Sequence, residues 1–371
     1  MTVTQLASAR LPADFGLRRD VRYVAPGVPD EELQAYDYDT LWYDAIYDPS
    51  VEKICIIGPP LYNLEKAVRR GQFSVDSGSR CKIQKIWRYK RFSEIWLPRA
   101  QTCEEITLNF EGLNVTSPVS LADLSSFRGL NAVATKSKNN DIHWISDWLT
   151  YHQKVHNLHG AVIFDNGSTV YDAEDLQQAL NAHCPDLIIK VVSAPFLWGL
   201  HKYGRTEFFQ TAMLNIARVR FFRTARAVLS CDIDELIEPI PDSDIFSRAV
   251  ASTTGIAMFR GRWRYIQSDD HHDGPTSHAD HIWRTTPAED HHPLFKYCVA
   301  NRRLGHWLRW DIHGPIFGRT KPVMRFCIHD DLAYVHCRAV STFWRQRKRE
   351  HAQDKLTVDK DWADLMRVVF G

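Results

Sequence analysis

The sequence has no C-x-x-C pair. Its eight cysteines, at positions 55, 81, 103, 184, 231, 298, 327 and 337, are scattered. Such spacing supplies neither a zinc ribbon nor a disulfide framework, and reduced thiols are the simpler account. Long apolar runs are lacking too: Ile54-Cys55-Ile56-Ile57 is typical and stops at Gly58-Pro59-Pro60, far short of a bilayer span. The first residues carry no apolar core of a signal peptide. Charge of one sign is also missing, since 46 Lys and Arg face 45 Asp and Glu. There is therefore no global argument for nucleic acid as a partner. These absences give a cytoplasmic protein as the expectation.

What is present is ordinary for a soluble globular chain: 44% apolar and 25% charged residues in 371, long for one domain and comfortable for two. Residues 1–25 read as a loose arm without sustained period. Residues 26–128 hold short apolar pieces, such as Lys53–Ile57, Glu94–Leu97 and Glu105–Phe110, separated by Gly-Pro-Pro, Asp-Ser-Gly and Glu-Gly turns. That pattern predicts a β-rich domain. From residue 129 the pattern changes to strand and helix in alternation. Strands are expected at Asn131–Ala134, Gly160–Phe164, Leu187–Val192 and Ala227–Cys231. Helices are expected after Asn140 or Asp141, over Asp172–His183 and over Thr206–Phe222. Four such alternations predict an α/β domain over 129–350, a mostly parallel sheet with helices on both faces, followed by a tail over 351–371.

The chemistry collects after the strands. In such sheets ligands bind at the carboxyl ends of the strands. Thr135–Asn140 follows the first strand, Asp165-Asn166-Gly167-Ser168 the second, and Asp232-Ile233-Asp234-Glu235 the fourth. Residues i and i+2 of extended chain point the same way. Asp232 and Asp234 can therefore present oxygens to one hard divalent cation such as Mn²⁺ or Mg²⁺. Each signal has a plainer reading. Asp165–Ser168 makes a good turn with no ligand. Trp144, Trp148 and His152 recur at helical spacing, which packs a helix onto a sheet. The histidines at 271, 272, 278, 281, 291 and 292 show no zinc spacing, and a polar loop accounts for them. Arg260, Arg262 and Arg264, with Lys202 and Arg205, suit an anion or a solvated basic face equally.

Lys138-Asn139-Asn140, Trp144 to His152, Phe164 to Ser168 and Asp232 to Glu235, in that order, resemble the GT-A glycosyltransferases, in particular the family 92-like group and its bacterial family 2-like relatives. Their pattern is K-N-E, W-x-x-H, D-N-x-S and D-x-D-E. Asp311-Ile312-His313-Gly314-Pro315 and Val335-His336-Cys337 resemble the histidine-bearing elements that close such domains. Two departures stand out: Asn140 replaces the glutamate, and Cys337-Arg338 replaces an aromatic position.

The resemblance implies a Rossmann-like mixed sheet with an N-terminal β-rich accessory domain. It implies a UDP-sugar donor and Mn²⁺ or Mg²⁺, a glycan or lipid-linked glycan acceptor, inverting transfer and a role in bacterial surface polysaccharide. Thr135, Lys136 and Asn139 would line the nucleotide pocket, with Asp165 and Asn166 at the base or ribose. Asp232 would face ribose and metal, Asp234 the metal, with His313 as third ligand and His336 as the alternative. Glu289, Asp290 and Asp311 are the candidate bases, competing with Asp269 and Asp270. The basic stretch from Ser341 to Glu350 suits peripheral contact with anionic lipid. Two other readings compete: a haloacid dehalogenase-like phosphatase with Asp232 as nucleophile and Asp234 beside it, and a non-catalytic carbohydrate-binding protein.

Overall fold

The structure is a computed structural model. It describes residues 3–22, 24–76, 78–200, 206–266, 276–285, 291–340 and 356–371. The candidate bases Glu289, Asp290, Asp269 and Asp270, together with Lys202, Arg205, His271, His272 and the basic stretch 341–350, lie outside the described residues. Two compact units divide the chain. The larger comprises Met1–Val3, Ser126–Val192 and Thr224–Gly371; the smaller comprises Thr4–Ser125 and Ser193–Arg223. The helix at Phe208–Arg220, which the alternating pattern places in the α/β domain, thus clusters with the N-terminal strands. Among the described residues, no helix is long and apolar enough to cross a membrane.

In the smaller unit, Asp44–Asp48, Lys53–Gly58, Ser93–Pro98 and Lys85–Arg88 form one sheet with Ser120–Leu121 at its edge. Leu113–Pro118, Glu105–Phe110, Gln72–Val75 and Ser79–Cys81 form another. The two share a core that includes Ile54, Ile95, Phe73 and Ile106. The first residues are pinned, contrary to the loose arm expected. Arg19 is 1% exposed and donates to the carbonyls of Pro60, Asp37 and Thr40 at 2.7, 2.5 and 2.5 Å. One buried guanidinium thereby satisfies three backbone acceptors that have lost water.

Three arginines explain why the helix joins these strands. Arg218 meets Glu94, Arg220 meets Asp44 at 2.9 Å, and Arg223 meets Asp48 at 3.1 Å. All three carboxylates are fully buried.

The larger unit is built on one mixed sheet. Its elements are β1 (Asn131–Ser137), α1 (Ile142–His156), β2 (Gly160–Asp165), α2 (Ala173–His183), β3 (Ile188–Ser193), β4 (Ala227–Ser230), β5 (Glu235–Ile237), α3 (Ile245–Ala251), β6 (Ile256–Arg264), β7 (His291–Ala300), β8 (Ile328–Cys337) and α4 (Lys360–Phe370). The strands lie in the order β3-β2-β1-β4-β7-β6-β8-β5. Pairings β1–β2, β1–β4 and β6–β8 are parallel, whereas β4–β7, β6–β7 and β5–β8 are antiparallel. Asp141 caps α1 through His143 N, and Asp172 with Asp175 makes a capping box on α2. Residues read as a tail form α4, whose Trp362, Met366 and Val369 enter the core beside Trp148, Leu176 and Phe246.

Removing one partner of a buried ion pair leaves an uncompensated charge and costs about 3–5 kcal/mol. Arg218→Ala is therefore expected to lower the unfolding free energy by that order, read as a lower urea midpoint. The double variant Glu94→Leu, Arg218→Leu should recover most of the loss. An unchanged midpoint in the single variant would show that the pair contributes nothing.

Candidate metal centre

The site grows out of strand register. β1 and β2 end together at Ser137 and Asp165, and β4 ends at Ser230, opposite Ala134 of β1. The antiparallel match Ser230↔Tyr297 brings the first half of β7, with Lys296, to the same edge. Trp263↔His336 and Glu235↔His336 then carry the ends of β6 and β8 and the start of β5 there. The carboxylate oxygens of Asp234 and Glu235 and a ring nitrogen of His336 all lie within 4.8 Å of one another. His336 Nε2 is 3.7 Å from Asp234 Oδ2, and Cys337 N donates to Asp234 O at 2.8 Å.

Asp232 has a different employment. Its Oδ1 accepts from Lys136 Nζ and its Oδ2 from Lys296 Nζ at 2.6 Å. Burial pushes the Asp232 carboxyl up, but Lys136 and Lys296 outweigh it and hold it well below the usual range. Lys296, with its side chain 2% exposed, also reaches Glu235 Oε2 at 2.8 Å. Asp232 N donates to that same oxygen at 2.8 Å. Burial raises the Glu235 carboxyl, and although Lys296 pulls it down, Asp232 and Asp234 push it further up.

Two of the expected ligands stand outside that close group. Asp232 is engaged by two lysines in place of the metal group. His313, the expected third ligand, lies outside the group: its Nδ1 faces Phe295 O at 3.3 Å. His336 takes that place because β8 pairs with β5, whereas His313 sits beyond the short hairpin strand Arg309–Asp311. Asp311 shares that strand; its carboxylate accepts from Ile312 N at 2.8 Å and it is not in the group.

The loops after β1 and β2 are stitched to each other. Asn139, at φ 55°, donates its N–H to Ser168 Oγ at 2.9 Å and accepts from Thr169 N at 2.7 Å. Asp165 accepts from Ser168 Oγ at 2.5 Å and from Ser168 N at 3.2 Å, which is the turn chemistry of the plainer reading. Asn166 N donates to Ser137 O at 2.8 Å. The buried Thr135 Oγ1 has no hydrogen-bond partner among the described residues.

Glu235 and Lys296 belong to this cluster, and sequence reasoning gave neither a role. A signal for Lys296 existed, because a lysine inside Phe295–Val299 is rarely buried unless paired.

A divalent cation fits the donor set. Two carboxylates and an imidazole suit Mn²⁺ and, less well, Mg²⁺. Asp234, Glu235 and His336 supply the donors, while Lys136 and Lys296 hold Asp232 beside them.

No family model matches the chain, and no curated protein does. Among solved structures it is similar to the WbbM bifunctional glycosyltransferase at 10% identity and a TM-score of 0.27, over 39% of this chain and 25% of that one. It is similar to the mannosyltransferase PcManGT from Pyrobaculum calidifontis, solved with GDP-Man and Mn²⁺, at 17% identity and 0.33, over 65% and 69%. A third is GalNAc-T7, solved with UDP, GalNAc and Mn²⁺, at 10% and 0.33, over 58% and 45%. The chain thus spans a quarter of the first and under half of the third. What the centre can do follows from its own residues.

Four buried histidines support that edge. Trp148 Nε1 donates to Glu235 O at 2.9 Å, and Tyr151 Oη to Ile237 O at 2.6 Å. His156 Nε2 meets Ile237 O at 2.9 Å and His278 Nε2 meets Ile233 O at 2.8 Å. His281 Nε2 accepts from Ala339 N at 3.0 Å, and His152 meets Trp148 O at 2.8 Å. Burial lowers His152 and His281 to about 3 and His156 and His278 to about 4. Each binds its proton less readily folded than unfolded, so their stabilisation is complete above about 6.5 and is lost as pH falls toward 4 and 3. The melting temperature is expected to drop between about pH 7.5 and 5, each imidazole adding up to about 1.4 kcal/mol per pH unit. A flat or rising profile across that window would contradict neutral burial.

Proposed function

We propose that this chain is a metal-dependent glycosyltransferase of the GT-A type, moving a sugar from a UDP-sugar to a glycan or lipid-linked acceptor with inversion. One observation carries the reading. The Glu235↔His336 register gathers Asp234, Glu235 and His336 at the carboxyl edge of a mixed α/β sheet, beside a lysine-bound Asp232. Asp234, Glu235 and His336 would hold the Mn²⁺ or Mg²⁺. Bound there, the cation would neutralise charge developing on a departing diphosphate. Lys136, at the end of β1 and partly exposed, would add a positive charge for the same group. Asn139 and Asp165, fixed by Ser168 and Thr169, would keep the nucleotide-side loops in one shape. The acceptor hydroxyl needs a base, for which Glu289, Asp290 and Asp311 remain the candidates. By the same proposal the enzyme is cytoplasmic, the acceptor belongs to a bacterial surface polysaccharide, and the β-rich unit is accessory.

A thermal-shift series tests the reading. A ligand that binds only the folded state stabilises by about 2.7 kcal/mol at a hundred times its Kd. UDP is expected to raise the melting temperature only with Mn²⁺ or Mg²⁺ present. Asp234→Asn and His336→Ala should abolish that shift, and His313→Ala should leave it. Absence of any UDP response, together with cleavage of p-nitrophenyl phosphate, would replace the transferase by the phosphatase reading.

A further inference from the structure

The outward face of one sheet in the smaller unit carries chemistry that the metal centre does not use. Gln72–Val75, Glu105–Phe110 and Leu113–Pro118 are neighbouring antiparallel strands. Register sets Gln72 opposite Asn109, and Asn109 opposite Asn114. Residues directly opposite share a face, so three carboxamides stand in one row. Their chain neighbours Phe73, Leu108 and Val115 are buried in the core, so the row faces outward. Two residues along each strand, Ser74, Thr107 and Thr116 make a second row, of hydroxyls, in which Thr107 Oγ1 lies 2.8 Å from Thr116 Oγ1. About 7 Å separates the rows.

The amide row lines a cleft of about 370 Å³, together with Arg70, Phe110 and Glu111. Glu111 and Gly112, at φ 44° and 87°, make the tight turn that joins two of the strands. Gly71 brings the helix Glu65–Arg70 close against the row: a Cβ there would lie 2.6 Å from the Leu108 side chain and 2.9 Å from Asn109 O. Asn114 Nδ2 donates to Asn109 Oδ1 at 2.7 Å. Among the described residues, no hydrogen bond is made by the Gln72 amide, by Asn109 Nδ2 or by Asn114 Oδ1.

A carboxamide sets donor and acceptor side by side. Two adjacent hydroxyls of a sugar ring match that pair, since each hydroxyl both donates and accepts. An anion would ask for net positive charge, and the cleft sets Arg70 against Glu111. A nucleobase would ask for a ring to stack on, and Phe110 packs against the core. We propose that the row of Gln72, Asn109 and Asn114 binds a neutral sugar unit of a glycan, and that the hydroxyl row takes the neighbouring unit of the same chain. The site rests on the transferase reading for its purpose, which is to hold the acceptor glycan. Its binding chemistry needs neither metal nor nucleotide.

The test titrates the full chain in EDTA, without nucleotide, by saturation-transfer NMR. The probes are cellotetraose, maltotetraose and chitotetraose, with glucose and N-acetylglucosamine as their monosaccharides. At least one tetrasaccharide should bind at least about tenfold more tightly than its monosaccharide, because two rows engage two units. Gln72→Ala and Asn114→Ala, both at exposed positions, should each weaken that binding by about three- to tenfold. Thr116→Val, which keeps the β-branch, should lower tetrasaccharide affinity and leave the monosaccharide unchanged. Asp234→Asn should bind the tetrasaccharide like the unaltered chain. Tetrasaccharides that do not bind, or bind no tighter than their monosaccharides, would overturn the proposal. So would full binding by Gln72→Ala, Asn114→Ala or Thr116→Val, and so would loss of binding in Asp234→Asn, which would assign the sugar to the metal centre. The transferase reading fails separately, through a missing metal-dependent UDP shift, and that failure leaves these titrations unchanged.

Discussion

The ammonium of Lys296 organises the centre of the larger unit. A buried charge is costly unless its neighbours compensate it, and Lys296 is compensated by Asp232 at 2.6 Å and Glu235 at 2.8 Å. Burial lowers the Lys296 ammonium, but the two carboxylates outweigh it and hold it well above its ordinary value. The turn from β4 to β5 is closed by that cation, because Asp232 N also donates to Glu235. Asp234, the third carboxylate of the turn, faces His336 instead, 3.7 Å from its Nε2.

Strand order makes this arrangement. Lys296 and His336 follow Asp232 by 64 and roughly a hundred residues, yet β7, β6 and β8 return to the flank of β4 so that their ends meet its end. Two register shifts on β6, between Arg260 and Gly261 against β7 and between Met258 and Arg260 against β8, adjust that meeting. Gly261 has a purpose here: a Cβ at that position would lie 2.4 Å from the Tyr334 ring. Tyr334 lies against His292, 2.7 Å from its Nδ1, and also donates to Leu294 O at 3.1 Å. The bulged segment is therefore tied to β8 from within the sheet.

Much of the larger unit was legible because its elements announce themselves locally. The alternation of apolar strands and capped helices placed β1, α1, β2, α2, β3 and β4 to within a few residues, and it pointed to the carboxyl edge. Register was not legible. His313 and His336 look equivalent as letters, and only the pairing of a three-residue strand with β8 separates them. The apolar rows of Phe208–Arg220 show that the helix is buried but not which sheet it covers. That was decided by the match of Arg218, Arg220 and Arg223 to three distant acids. The first residues looked unstructured because what orders them is one arginine gripping carbonyls, which has no period to detect.

β5 shows why Glu235 can be both buried and well placed. It lies at the end of the sheet order, paired only with β8, so its outer carbonyls would be left without a strand partner. Helix α1 supplies the missing donors: Trp148 bonds Glu235 O and Tyr151 bonds Ile237 O, while His156 meets Ile237 O as well. Side chains that read as simple core packing thus act as a substitute strand. A helix holds these donors more rigidly than a loop would, and β8 fixes the other edge of the same short segment. The carboxylate of Glu235 is thereby positioned by its backbone on two sides and by Lys296 at its tip, which leaves it little freedom to turn away from Asp234 and His336. Preorganisation of this kind lowers the ordering cost of binding a cation, and it follows from the edge position of a strand only three residues long.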